Sequence, residues 1–425
     1  MQIDILKQLF KLQFVIGIFT IMLGVLSYTH AQSAIEPDQI RRIVWSPNGD
    51  RVALSYQNGQ IMIIWTDNRE ETPITFHADP DSFIALAWSP TGDFLATGST
   101  HILRIWDVVN QQEIFTQRGV GTDILTVAWS PDGNQVIAIA AEPFNNPSNV
   151  VIVEPMGGQV TPMSLGMVSS IQWSPDGSMV AFTGIAGITV FDATNFQPLF
   201  TTLPISREIF RRGLINQLGN ITWNSESTHI AGGMGDGRVF VWNLDNPDPI
   251  FTFIGHDYQG NDRFLGRIHD LRFDDTGQML TAVSGDGTIR TWDLRDGTLV
   301  TEQLASPNYT ADFSPYGGQL VLGLALEAHN EVVTYQSAPV HVNQTLAEGT
   351  VQIVVPAPSL EHLQAIAEAC NASTPIEQSL TANIQADQLT EFVAQVEALA
   401  EDAIPPACRA DLLAVAEALQ TLEQE

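Results

Sequence analysis

The residues with obvious chemical capacity are eight histidines between His77 and His362, two cysteines, one glycine-rich run and two similarly placed aspartates, Asp132 and Asp176. No two histidines stand in His-x-His or His-Glu-x-x-His spacing, so a local zinc motif is missing. Cys370 and Cys408 cannot by themselves build a four-thiolate site. Lys7 and Lys11 are the only lysines, which leaves the rest of the chain without a Schiff-base lysine, a P-loop lysine or a Ser–Lys dyad. Gly232–Gly237 reads as turn chemistry rather than a phosphate cradle, because it falls between two strand-like runs. Asp132 and Asp176 each sit in a Pro-Asp-Gly turn, so they read as turn formers and not as a paired acid and base. The expectation is a protein with no catalytic residue, no metal and no cofactor.

What positions these residues is a repeat. Trp45-Ser46-Pro47-Asn48-Gly49 recurs as Trp88-Ser89-Pro90-Thr91-Gly92, Trp129-Ser130-Pro131-Asp132-Gly133 and Trp173-Ser174-Pro175-Asp176-Gly177. Degenerate copies begin at Trp223, Phe273 and Phe313, so the gaps between lead aromatics are 43, 41, 44, 50, 50 and 40 residues. A period of 40–45 with strand-like units predicts propeller blades. In the sixth unit, Ile268–Phe273, Met279–Ser284, Thr288–Trp292 and Leu299–Leu304 read as four strands, with Asp286-Gly287 in a tight hairpin turn. The apolar, β-branched runs predict sheets buried on both faces. Because Trp, Ser, Pro and Asp recur with the period, they read as packing and turn determinants; a functional residue would break the period.

Trp106-Asp107 and Trp292-Asp293 end third strands, with Phe191-Asp192 and Trp242-Asn243 as variants, and in this the chain resembles the WD-repeat family. The resemblance covers about Ile35 to Leu346 and implies an all-β fold, a seven-bladed β-propeller. It also implies that His256, Ser284, Asp286 and Trp292 form the family's structural hydrogen-bond tetrad in one blade, and that Val351–Val355 adds an outer strand at ring closure.

The acid–base balance, 48 Asp and Glu against 18 Lys and Arg, gives a formal charge of −30, a field that repels nucleic acids and anionic membranes. With 44% hydrophobic and 16% charged residues the chain has ample core material. Lys7 and Lys11 precede an apolar run, Phe14–Leu26, and a small-residue site at Thr29-His30-Ala31, which reads as a signal peptide over residues 1–31 and an extracytoplasmic protein, secreted or periplasmic. Uncleaved, the same segment would anchor the chain to a membrane.

Residues 35–355 are thus expected to form the propeller and 356–425 a separate helical domain after a Pro-Ala-Pro linker. Helices are predicted at Ser359–Cys370, Asp387–Asp402 and Pro406–Leu422 from apolar residues at helical spacing and from Pro405-Pro406 at the start of the last. In an exported chain Cys370 and Cys408 favour a disulfide, with two free thiols as the alternative; its effect is expected on the tail and hardly on the propeller.

Two long connections stand out. Pro204–Leu218 carries Arg207, Phe210, Arg211 and Arg212, and His256–Arg267 carries Tyr258, Arg263, Phe264 and Arg267. Arginine interleaved with aromatics is the composition of binding hot spots. These residues are the candidate binding site, for an acidic protein segment or an anionic glycan. The function expected is a non-enzymatic protein–protein interaction platform. The alternatives are a propeller that binds glycans or other extracellular ligands, and a propeller hydrolase or lyase.

Overall fold

The computed structural model describes residues 40–66, 72–78, 85–140, 149–165, 168–184, 187–202, 218–254, 267–304, 308–324, 338–339, 341–346, 351–355, 363, 366–367, 370, 389–399 and 404–422. The leader, the proposed first tail helix apart from Leu363, Ile366, Ala367 and Cys370, and most of the two arginine-bearing connections lie outside them.

Each repeat opens with a strand that ends on the lead aromatic, and the turn after it reverses the chain. Gly49, Gly133 and Gly177 adopt φ of 72° in that turn, the left-handed conformation that glycine enters without strain. The strands then pair antiparallel in sequence order. Ile40–Trp45, Arg51–Tyr56, Gln60–Trp65 and Ile74–His77 form the first sheet, and the repeats led by Trp173 and Trp223 form four-stranded sheets in the same way. Both faces are packed: all five residues of Val136–Ala140 are buried. The predicted four strands of the sixth repeat are present, and Ala338–Pro339 adds a fifth, parallel, at the outer edge.

Six sheets are formed by the seven repeats, because the second and third share one. Gln112–Trp129 is a continuous strand of 18 residues that serves as the outer strand of one repeat and the first strand of the next. Gly119 and Gly121, both at positive φ, let it bend between the two. The seven first strands lie side by side in chain order, and Ile40–Trp45 also lies against Asn308–Phe313, so the first repeat neighbours the last.

The last sheet corrects one expectation. Val351–Val355 is not its outer strand: it pairs with Leu320–Leu324 on one side and His341–Leu346 on the other, so the outer strand precedes the inner one in sequence. This order leaves the chain at the inner strand, where Val355 is buried among tail residues.

The tail helices are α1, Leu389–Ala398, and α2, Pro406–Leu422, the second with the predicted bounds. Phe392, Val396, Leu412 and Val415 form its core with Leu363 and Ile366, and Cys370 and Cys408 stand at disulfide distance, Cα atoms 5.7 Å apart. The tail is not separate from the sheets, as the linker composition suggested. Residues 40–425 form one compact unit, and Tyr316 of the last repeat packs on the tail core. On α2, Asp411 accepts hydrogen bonds from Ser314 Oγ at 2.8 Å, Tyr316 N at 3.1 Å and Gln319 Nε2 at 3.1 Å. One turn earlier Ala407 lies against Gly49 of the first repeat, so close that a Cβ there would stand 2.5 Å from the Ala407 Cβ. One helix therefore touches the turns of both the last and the first repeat.

Candidate functional site

Most residues of the repeat motif are consumed by structure. The indole N–H of Trp88 donates to Val44 O at 3.2 Å, that of Trp129 to Ala87 O at 3.1 Å, and that of Trp223 to Gln172 O at 3.4 Å, so these three lead tryptophans latch their repeats to the ones before, whereas Trp173 Nε1 is buried without a partner. Asp132 accepts from Ser130 Oγ at 2.5 Å and from Asn134 N at 3.1 Å, and these bonds hold its carboxyl below the usual range. Asp176 makes the matching bond to Ser174 Oγ at 2.6 Å. Both are turn aspartates, as expected.

Three of the four expected tetrad residues, Ser284, Asp286 and Trp292, are described. Ser284 and Asp286 share a hairpin turn in which Thr288 N and Oγ1 donate to Asp286 Oδ1 at 2.9 and 2.7 Å, and Trp292 is buried against Phe253 with ring centroids 4.8 Å apart. Arg290, itself buried, stands 2.8 Å from Glu302 and 3.8 Å from Asp286. His256 lies outside the described residues.

The charged residues that break the period gather at the centre. The first strands line a cavity of about 530 Å³ whose wall includes Ala85, Thr126, Ser170 and Asn220, and, from the first, sixth and seventh repeats, Arg42, Asp270 and Asp312. Asp312 accepts from Trp45 N at 2.5 Å and Asp270 from Phe313 N at 3.1 Å. These two carboxylates join the sixth repeat to the seventh and the seventh to the first, where Phe313 offers no indole N–H and the indole N–H of Trp45 has no partner. Burial pushes the Asp270 carboxyl up to about 7 against the pull of Arg272 and Arg42; burial and the neighbouring Asp270 push Asp312 well above the ordinary range. Burial and the charge of Arg267 lower Arg42. The sequence carried a signal for two of these: Arg42 and Asp270 stand three residues before the lead aromatic, where other repeats have Ala85, Thr126, Ser170 and Asn220.

The predicted binding residues Arg207, Phe210, Arg211, Arg212, Tyr258, Arg263 and Phe264 lie outside the described residues. Arg267 is described and reaches across Gly219 toward the charged side of the cavity. A second surface feature was not anticipated. Among the described residues, every large apolar side chain that is exposed, Val109, Met156, Leu199, Ile250, Ile254, Leu299 and Val300, falls on an outer strand or in the turn leading to one. Ile254 is the most open, at 81%. Among the described residues no group of three or more His, Cys, Asp or Glu is arranged to hold a metal.

Repeated four-stranded sheets, first strands around a central cavity and Trp-Asp strand ends are the features of WD40 repeats and their β-propeller-like fold. The family model for the WD domain, G-beta repeat, matches residues 71–107 and 247–293. Serine-threonine kinase receptor-associated protein of Mus musculus is 22% identical over 201 residues, 47% of this chain and 51% of that protein. WD repeat-containing protein AAC3 of Dictyostelium discoideum is 26% identical over 193 residues, 44% of this chain and 36% of its own. The chain thus spans about half or less of the curated relatives it matches. The crystal structure of the RRP9 WD40 repeats superposes with a TM-score of 0.57 at 15% identity, covering 75% of this chain and 95% of that one, a likeness of fold. WD40-repeat proteins are generally protein-interaction scaffolds.

Proposed function

We propose that this chain is a non-enzymatic scaffold that binds a protein partner along the outer rim of a seven-bladed propeller, the shared six-stranded sheet counting as two blades. The observation that carries this reading is the confinement of exposed large apolar residues to outer strands and their turns. Of these, Ile250 with Ile254 and Leu299 with Val300 stand together on or at the start of the outer strands of two consecutive repeats, and adjacent exposed apolar side chains mark a contact site. Leu199 and Ile254 lie on the strands that lead into the two arginine-bearing connections, so the apolar rim continues along the chain into Arg207, Phe210, Arg211 and Arg212, and into Tyr258, Arg263, Phe264 and Arg267. Apolar contact would supply affinity, and the arginines would select an acidic segment of the partner against the chain's own −30.

Export fits the leader-like residues 1–31 and the cysteine pair at disulfide distance. Amino-terminal sequencing of exported material should begin near Gln32.

Affinity capture with the full chain and with an Ile254→Ser, Leu299→Ser, Val300→Ser variant, each followed by mass spectrometry, tests the reading. A specific protein retained by the native chain and lost by the variant at unchanged melting temperature supports it. Equal retention moves the contact off the rim.

A further inference from the structure

The outermost strand of a sheet leaves a row of backbone N–H and C=O groups open, and folded proteins blunt such edges with charge, proline or a covering segment. Most outer strands of this chain carry one of those devices. The long strand of the second repeat has Glu113 and Arg118, Gln159–Ser164 contains Pro162, and Pro198–Thr201 begins on proline. Leu299–Leu304 is covered at Gln303 and Leu304 by the parallel strand Ala338–Pro339. Phe251–Ile254 has none of them. It pairs with Arg238–Val241 on one side, and no described strand lies on the other. With Ile250 before it the run reads Ile-Phe-Thr-Phe-Ile, rich in strand-forming residues and free of charge. Its burial pattern is that of Ile74–His77, but it ends on the open side chain of Ile254 where that strand ends on an exposed histidine.

The edge is also held in place. Phe253 is buried with its ring 4.8 Å from that of Trp292 and 5.7 Å from that of Phe251, so an incoming strand meets a partner already ordered. Asp245 and Asp248 stand exposed in the segment that leads to Ile250. Resting on the rim reading above, we propose that Phe251–Ile254 binds by strand addition. An extended segment of a protein partner, apolar at alternate positions and with a basic residue beside Asp245 and Asp248, pairs with the open edge as a fifth strand of that sheet. In the next sheet Ala338–Pro339 already occupies the corresponding place, which shows that an outer edge of this chain accepts an extended segment. Main-chain pairing supplies affinity, the alternate apolar side chains cover Ile254, and the basic residue suits two carboxylates on a body of charge −30. A second copy of the chain is a poorer occupant, because its approach brings two such charges together.

The test is fluorescence anisotropy of the full chain with fluorescein-labelled Gly-Lys-Val-Thr-Val-Thr-Val-amide. Two controls accompany it: the same peptide N-methylated at its valines and threonines, which keeps the side chains and loses the N–H donors, and the peptide with glutamate in place of lysine. Saturable binding of the first is expected, with the N-methylated peptide about tenfold weaker or silent, as the loss of even one or two hydrogen bonds requires. The glutamate peptide should bind several-fold more weakly. Thr252→Pro should abolish binding, and Ile254→Lys, which places on this edge the charge that blunts others, should weaken it several-fold; the second variant keeps the test decisive if the first fails to fold. No binding of the lysine peptide, equal binding of its N-methylated form, or binding indifferent to Ile254→Lys overturns strand addition. Self-association of the chain that the peptide competes away would make a second copy the occupant and overturn the partner assignment. Strand addition can fail while the Ile254→Ser, Leu299→Ser, Val300→Ser chain still loses its captured protein, which leaves a rim that binds through side chains alone; failure of the rim reading shows instead as equal capture.

Discussion

Asp411 Oδ2, on the last helix of the chain, accepts a 2.8 Å hydrogen bond from Ser314 Oγ, in the first turn of the last repeat. In the third and fourth repeats the equivalent serines, Ser130 and Ser174, bond to Asp132 and Asp176 two residues on. The last repeat has Tyr316 at that place, and a carboxylate 97 positions from Ser314 fills the role. The tail is thus part of the repeat structure: it completes the last turn and, through Ala407 on Gly49, rests on the first.

Replacing Asp411 by alanine should cost about 1–3 kcal/mol, the penalty for stranding buried donors, here Ser314 Oγ, Tyr316 N and Gln319 Nε2. Burial lifts its pKa from 3.8 to about 6, opposed by the bonds from Ser314 and Gln319, by the charge of Arg272 and by the Tyr316 N–H. An acid whose folded pKa is raised favours the protonated form, so tail docking is strongest below pH 4 and weakens as pH rises through about 6. The full linkage is about 3 kcal/mol. Asp270 and Asp312 add pH dependence of the same sign, so the informative quantity is the difference between native and Asp411→Asn chains in urea melts from pH 4 to 8. Its slope should vanish above pH 7; parallel curves throughout would remove Asp411 as the titrating latch.

Gly49→Ala and Gly133→Ala impose the same conformational strain, since both glycines adopt φ of 72°. They differ in what the new methyl meets: Ala407 Cβ at 2.5 Å for the first, Pro90 Cδ at 3.7 Å for the second. Gly49→Ala should therefore destabilise by about 1–3 kcal/mol more, the cost of overpacking. In an Asp411→Ala background, where the helix is less firmly held, the gap should narrow. Equal costs would mean that the helix does not bear on the first repeat.

Trp129→Phe removes the indole N–H that reaches Ala87 O at 3.1 Å and should cost about 1 kcal/mol beyond lost packing. Trp45 is different: its Nε1 is buried without a partner, while its backbone N is held by Asp312. Trp45→Phe should cost less than Trp129→Phe in chemical denaturation. The reverse order would contradict the latch.

Arg211→Ala, Arg212→Ala and Arg263→Ala together should weaken capture of the partner and flatten its salt dependence, because each screened charge contributes mainly through long-range attraction. Stability should shift by less than about 0.5 kcal/mol. Capture with an unchanged salt slope would place the electrostatic contact elsewhere.

The repeat was legible because turn chemistry is local: the aromatic, the serine and the positive-φ glycine all lie within five residues, as in Trp129–Gly133. The helix Pro406–Leu422 was legible for the same reason, with prolines at its start and an apolar stripe along it. Ring-scale relationships were not. Val351–Val355 and His341–Leu346 are both strand-like runs, and which lies inside depends on where the chain must leave for the tail. Arg42, Asp270 and Asp312 are 228 and 42 residues apart and meet only when the first strands assemble. Tyr316 stands where the third and fourth repeats have Asp132 and Asp176, and nothing local says that Asp411 takes their role.

Hydrogen–deuterium exchange on the full chain, free and bound to its captured protein, tests the central claim most directly. The account predicts new protection along Phe251–Ile254 and Leu299–Leu304, the outer strands that carry Ile254, Leu299 and Val300. Protection confined to the first strands around the central cavity, with the outer strands unchanged, would contradict a scaffold that binds through its rim.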